Sequence, residues 1–205
     1  VERHSGRASF ADGRPVELID LPGSYSLTPA SPDEAVTRDV VMGAQAGERR
    51  PDALIVVVDA GNLDQHLCFA LELIGQGLPV VVALNMIDMA ARDGLELDAA
   101  ALAAGLGVPV VPTVAVRRRG LDELLAALDT VLQARSAAPA APHADAAADA
   151  AALHRQARSI AQQAVVKETQ VRRWGHQLDR IFLHPVGGFA ILLGLLFVMF
   201  QAVYA

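Results

Sequence analysis

Residues 80–88 read VVVALNMID, and the first five of them decide the fold class. Val80, Val81 and Val82 are β-branched, and the run is apolar at odd and even positions alike, without the spacing of a helix. A strand of that kind has to be covered on both faces, which is the condition of a parallel sheet held between helices. Two further runs share this character, Leu54–Asp59 and residues 108–111. Helical spacing fills the intervals. Leu67, Leu71 and Ile74 share a face within 62–74, which is followed by Gly75 and Gly77; residues 98–106 stop at Gly107; Leu124, Leu125, Leu128, Val131 and Leu132 line one side of 121–132. Strands alternating with helices predict an α/β fold, a doubly wound and mostly parallel sheet whose ligands lie at the carboxyl ends of its strands.

Upstream, segments 2–10 and 16–19 flank Asp12-Gly13, with Pro15 just before the second, and predict an antiparallel hairpin. Its second strand ends VELID and runs into Leu21-Pro22-Gly23, placing Asp20-x-x-Gly23 at a strand's carboxyl end. An aspartate there can hold Mg²⁺ through water, and a glycine N–H can come close to a terminal phosphate because no Cβ intervenes. The same four residues also make an ordinary turn. Ser31-Pro32-Asp33-Glu34 combines a capping box with proline at the first helical position, so a helix is expected from Pro32 to about residue 46. Asn85-Met86-Ile87-Asp88 follows the central strand directly. The Asp88 carboxylate can accept hydrogen bonds from the N1–H and exocyclic amine of guanine, a pattern adenine does not offer, while Asn85 ties the loop. Each signature is weak alone. Their joint placement, with Thr113-Val114-Ala115 after a third strand, is what links them.

The formal charge of −6 leaves no basic excess for general nucleic-acid binding. One cysteine, Cys68, excludes an internal disulfide and reads as a small core residue, and the six histidines lack paired metal-ligand spacing. Residues 136–152, SAAPAAPHADAAADAAA, have too little bulk to pack and read as a linker between a main domain at 1–135 and a helical spacer at 153–183. Residues 186–205 carry no charged side chain. Twenty helical residues cover a hydrocarbon layer of about 30 Å, so a transmembrane helix is expected over 185–205. Arg172, Arg173, His176, Arg180 and His184 precede it and would keep the main domain in the cytoplasm.

These segments together resemble the FeoB family of GTPase-linked bacterial ferrous iron transporters. DLPGSYSL at 20–27 with SPDEAVTRD at 31–39 resembles that family's second switch, ALNMID at 83–88 its guanine-specificity loop, and LDRIFLHPVGG at 178–188 with MFQAV at 199–203 its entry into the membrane. The resemblance implies a P-loop-GTPase-like fold that takes GTP and Mg²⁺, with Asp20 linked to Mg²⁺ and Gly23 contacting the γ-phosphate. It implies that Asn85 and Asp88 read guanine and that Met86, where other small GTPases commonly carry lysine, covers the base. Val114-Ala115-Val116 falls where the family usually has a Ser-Ala pair whose backbone contacts the base; only Ala115 matches. Ser24 stands where Ras-like enzymes orient water with glutamine, so hydrolysis is expected to be slow. For the whole protein the resemblance implies Fe²⁺ as cargo, a lipid bilayer, a small cytosolic accessory protein and a homo-oligomer as partners, and the bacterial inner membrane as location.

No G-x-x-x-x-G-K-[ST] loop occurs in the 205 residues, and Val1-Glu2-Arg3 resembles the residues directly after the family's first switch. The chain therefore reads as an N-terminally truncated G domain, expected to bind GTP poorly alone. In the transport reading, GTP-dependent ordering of residues 20–39 passes through 153–174 to the membrane helices. Two other readings stand beside it: a soluble ribosome- or RNA-associated GTPase, and a non-catalytic α/β interaction module.

Overall fold

The computed structural model describes residues 4–45, 49–137, 150–168, 180 and 182–204. Its centre is a parallel sheet in the order β3-β4-β6, formed by β3 (Leu54–Asp59), β4 (Val80–Asn85) and β6 (Val110–Pro112). The register pairs Asp59 with Asn85 and Leu84 with Pro112. Alternate side chains of β4 enter two different cores. Val80, Val82 and Leu84 join residues of α2 (Leu63–Gly75), α4 (Ala99–Leu106) and α6 (Ala150–Ala164), whereas Val81 and Ala83 meet Phe10 and Leu124 and Leu128 of α5 (Leu121–Ala137). All five are buried. Each fully buried Val or Leu contributes about 1.5–3 kcal/mol, so the strand is held from both faces.

The expected hairpin forms from β1 (His4–Ser9) and β2 (Pro15–Asp20), as a separate two-stranded sheet. The Arg14 guanidinium lies 4.9 Å from the centre of the Phe10 ring and pairs with Asp12 and with Asp129 of α5, fastening the hairpin to that helix. The same guanidinium, hydrogen-bonded to Asp12, holds the Asp12 carboxyl below its ordinary range. Helix α1 (Pro32–Met42) opens on the Ser31 side chain, which accepts from the Glu34 N–H at 3.2 Å, and the Glu34 carboxylate reaches back to the Ala30 N–H at 2.7 Å. It ends at Gly43, earlier than expected, because that glycine takes the left-handed φ of 72°.

Three features differ from the sequence reading. First, helix in the expected spacer 153–183 stops at Ala164; Val165–Glu168 (β7) instead pairs antiparallel with β5 (Leu95–Leu97), so the sheets taken together are mixed and only β3-β4-β6 is parallel. Second, α5 runs on to Ala137 and α6 begins at Ala150, which leaves most of the expected linker outside the described residues. Third, the expected membrane span is not met: among the described residues no helix is long and apolar enough to cross a membrane. Helix α7 (Pro185–Tyr204) carries no charged side chain.

Helices α4 and α6 touch closely at Gly105, where an added Cβ would lie 2.9 Å from Ile160 Cγ2 and 3.1 Å from Cγ1. Ile160 is β-branched and buried, so it cannot swing aside. Gly105→Ala is expected to lower stability by about 1–3 kcal/mol through overpacking, outweighing the roughly 1 kcal/mol that alanine gains in a helix. In an Ile160→Ala background the same change becomes stabilising. Urea unfolding of the four variants measures both signs.

Candidate nucleotide site

β4 delivers Asn85 to its carboxyl end, and the next residue leaves the strand by a sharp turn. Met86 takes a left-handed backbone (φ 59°, ψ 28°), and its carbonyl accepts from the N–H groups of Met89 and Ala90, both at 3.0 Å. Helix α3 (Ile87–Arg92) therefore begins at once, with Asp88 in its first turn. Asp88 Oδ1 accepts from the Met89 N–H at 3.0 Å, and Arg117 Nη1 lies 3.7 Å from Asp88 Oδ2.

The Asn85 side chain crosses to the neighbouring strand's loop. Its Oδ1 accepts from the Ala115 N–H at 3.1 Å and from Thr113 Oγ1 at 3.4 Å, while the Thr113 N–H donates to Leu84 O at 2.8 Å. The loop itself closes through reciprocal backbone bonds between Val114 and Arg119, at 3.0 and 3.2 Å, around the 3₁₀ turn Ala115–Arg117. Val114 is buried and anchors the loop in the core, whereas Val116 is 93% exposed. Asn85, Met86, Asp88, Val114, Ala115 and Val116 are thus drawn to the adjoining ends of β4 and β6. The Ala115 amide is already committed to Asn85. Thr113, which the sequence marks as the start of this loop, and Arg117 join this set.

Asp20 and Gly23 stand apart from this set, on the hairpin. Asp20 ends β2, Gly23 is exposed, and no atom lies within 4 Å of where a Cβ on Gly23 would project. The loop after Asp20 is tied on both sides of Gly23. Buried Thr37 of α1 donates through Oγ1 to Pro22 O at 2.7 Å. On the other side, Glu72 of α2 accepts from Ser26 Oγ at 3.2 Å and from the Leu27 N–H at 2.6 Å, and the rings of Tyr25 and His66 meet edge to face at 6.0 Å. Glu72 also escaped the sequence reading, although a carboxylate between Leu71 and Leu73, both buried, was a signal. Cys68, one turn earlier, is buried; burial and then the Glu72 charge push its thiol upward, as suits a core residue.

Two ends of a site result. The end at β4 and β6 is a closed, hydrogen-bonded frame with a carboxylate beside it, a donor-and-acceptor set that fits guanine. At the hairpin end, among the described residues, no group of three or more His, Cys, Asp and Glu is arranged to hold a metal ion. Mg²⁺ is ordinarily held by one or two carboxylates plus phosphate oxygens, so Asp20 alone is compatible with it. Between β2 and β3 lies a cleft of about 710 Å³, bordered by residues 16–20 on one side and 54–57 on the other, where Val57 is 60% exposed.

Comparison with known proteins adds to this. Residues 1–128 match the family described as Ferrous iron transport protein B. A Porphyromonas gingivalis protein, an Fe(2+) transport protein A/Fe(2+) transporter FeoB fusion, is 45% identical over 136 residues, which cover 66% of this chain and 16% of the relative. The chain thus spans about a sixth of the length of the curated relatives it matches. Among solved structures, the cytosolic domain of the T. maritima FeoB iron transporter in GDP form II is similar with a TM-score of 0.60 at 35% identity, covering 66% of this chain and 51% of that one. The GMPPNP form of the same domain gives 0.58 at 36%, covering 65% and 52%.

The frame around Asn85 depends on Gly120, whose φ is 82° and whose added Cβ would lie 2.2 Å from Pro112 O. Gly120→Ala is expected to break the loop away from β6 and to raise hydrogen exchange at the Val114 and Ala115 amides by about tenfold or more, given a strain of order 1–3 kcal/mol. Exchange mass spectrometry of peptides covering 113–120 reads it.

Proposed function

The chain belongs to the ferrous iron transport protein B family, and from that premise we propose that it is part of the guanine-nucleotide-binding domain of a membrane transporter, a domain whose nucleotide state gates ferrous iron uptake. The observation that carries this reading is the frame in which Asn85 Oδ1 holds the Ala115 N–H and Thr113 Oγ1, with Asp88 three residues on. Guanine presents two adjacent donors, and the Asp88 carboxylate accepts both. Adenine does not offer that pair of donors, a loss of about 1–3 kcal/mol. Met86 covers a face of the base with its thioether stem. Asn85 holds the loop, Val114 roots it, and the backbone at Ala115 and Val116 lies next to the base edge.

At the other end, Asp20 would hold Mg²⁺ through water and the Gly23 N–H would meet the terminal phosphate, a role the open space about Gly23 supports. Mg²⁺, when bound, neutralises phosphate charge. The described residues offer no backbone cradle for the phosphates. The cleft between β2 and β3 supports an added strand as its source, since among the described residues neither bordering strand has a strand paired on that side. Running parallel to β3, it would deliver its following turn to the end that carries Asn85. We read 186–205 as the start of a membrane-spanning helix, supported by twenty residues without a charged side chain and by Arg180 and His184 before them. Fe²⁺ is then cargo of the whole transporter, and the fused transport protein A of one relative supports a small accessory protein as partner. Nothing favours the ribosome-associated reading.

In the whole transporter, Asp88→Ala is expected to weaken GTP binding by about a hundredfold or more, since two hydrogen bonds to a charged group contribute roughly 1.5–3 kcal/mol each. Weak ATP binding should not change. Titration with a fluorescent guanine nucleotide tests this, and equal affinities for parent and variant would sink the guanine assignment. The 205-residue chain alone should give no saturable heat with GTP at concentrations that saturate the whole transporter.

A further inference from the structure

The loop after Asp20 hangs between two anchors of different character. Pro22 O is held by Thr37, which is only 5% exposed. Ser26 and Leu27 are held by Glu72, a half-buried side chain whose two oxygens share the Ser26 hydroxyl at 3.2 Å each and of which Oε2 also takes the Leu27 N–H. The Ser26 hydroxyl in turn accepts from the Thr28 N–H at 3.1 Å, so this carboxylate organises the chain from Ser26 to Thr28. Only Gly23, Ser24 and Tyr25 bridge the two anchors. Glu72 sits on α2, and α2 makes the most extensive helix-to-helix contact among the described residues, with α6, where Ala157, Ile160, Ala161 and Ala164 are buried.

We propose that Glu72 is the positioning residue of this loop, a clasp that sets where Gly23 stands and carries the loop's position into α2 and onward to α6. Hydrogen bonds to a carboxylate are about twice as strong as neutral ones, so the clasp orders the loop, together with Leu27, which packs against the core. The buried Thr37 anchor is the fixed one. Displacement of Gly23 therefore reaches α2 rather than α1. The part of this inference that concerns phosphate rests on the nucleotide reading above; the clasp itself does not.

Hydrogen exchange on the nucleotide-free 205-residue chain tests the clasp directly. Glu72→Ala should speed exchange in residues 23–30 by about tenfold or more, the scale of losing a hydrogen bond to a charged group. It should speed α6 by a smaller factor and leave α1 and β4 at parental rates. Glu72→Gln keeps an acceptor oxygen and should restore the loop to within a few-fold of the parent. Ser26→Ala, which touches no core, should loosen the loop as Glu72→Ala does. Unchanged loop rates in Glu72→Ala, or uniform loosening in both Glu72 variants with none in Ser26→Ala, would overturn the proposal. In the whole transporter, Glu72→Ala should alter the ratio of GMPPNP to GDP affinity while keeping guanine preferred over adenine. A parent that binds neither nucleotide would defeat the nucleotide reading and leave the exchange result standing.

Discussion

The two-sided burial of β4 is the constraint on which the rest of the molecule depends. Five consecutive apolar residues cannot be hidden by one layer, so α2, α4 and α6 must cover one face while α5 and the hairpin's Phe10 cover the other. That requirement brings the strand's polar end, Asn85, out at the carboxyl end of the sheet. Because β6 runs parallel beside it, the loop after β6 emerges at the same end, and a single side-chain oxygen can then bind the two loops together. The site is a consequence of how the core closes.

Much of this was legible because the deciding signals are local. The Val-rich runs announce buried strands, Asp12-Gly13 the hairpin, Ser31 with Glu34 the start of α1, and Gly107 the end of α4. The parts that escaped depend on partners far along the chain. β5 is three residues long and exists because β7, some seventy positions later, pairs with it; no local propensity marks Leu95-Glu96-Leu97 as a strand. Ala164 ends α6 without glycine or proline, because pairing with β5 competes successfully with helix propagation. Glu72 reaches a loop forty-five residues earlier in sequence, and Thr113 gains meaning only once β4 and β6 are neighbours. The assigned positions were readable as motifs; the groups that hold them in place were not.

The two ends of the site differ in how they are held. At β4 and β6, strand register, a buried valine and a closed backbone ring all restrain the same few residues, so the frame can recognise a ligand without rearranging. At the hairpin, restraint comes from hydrogen bonds to Thr37 and Glu72 and from Leu21 and Leu27 against the core, while Gly23 between them has open space around it. Rigid recognition paired with a yielding neighbour is the arrangement from which a ligand-dependent switch is built, since only the yielding part has a second place to go.

The cleft between β2 and β3 has a further meaning outside ligand binding. Among the described residues both bordering strands present ladder groups with no strand opposite them, and Val57 turns an apolar side chain outward beside them. An edge of that composition is a template for any extended polypeptide, including another copy of the same chain. Lacking the bulges, prolines or lysines that normally guard an edge, β3 makes colloidal behaviour depend on what occupies its flank. For the 205 residues, the practical hazard at high concentration is edge-to-edge aggregation, set by the open flank of β3 rather than by any weakness of the core beneath it.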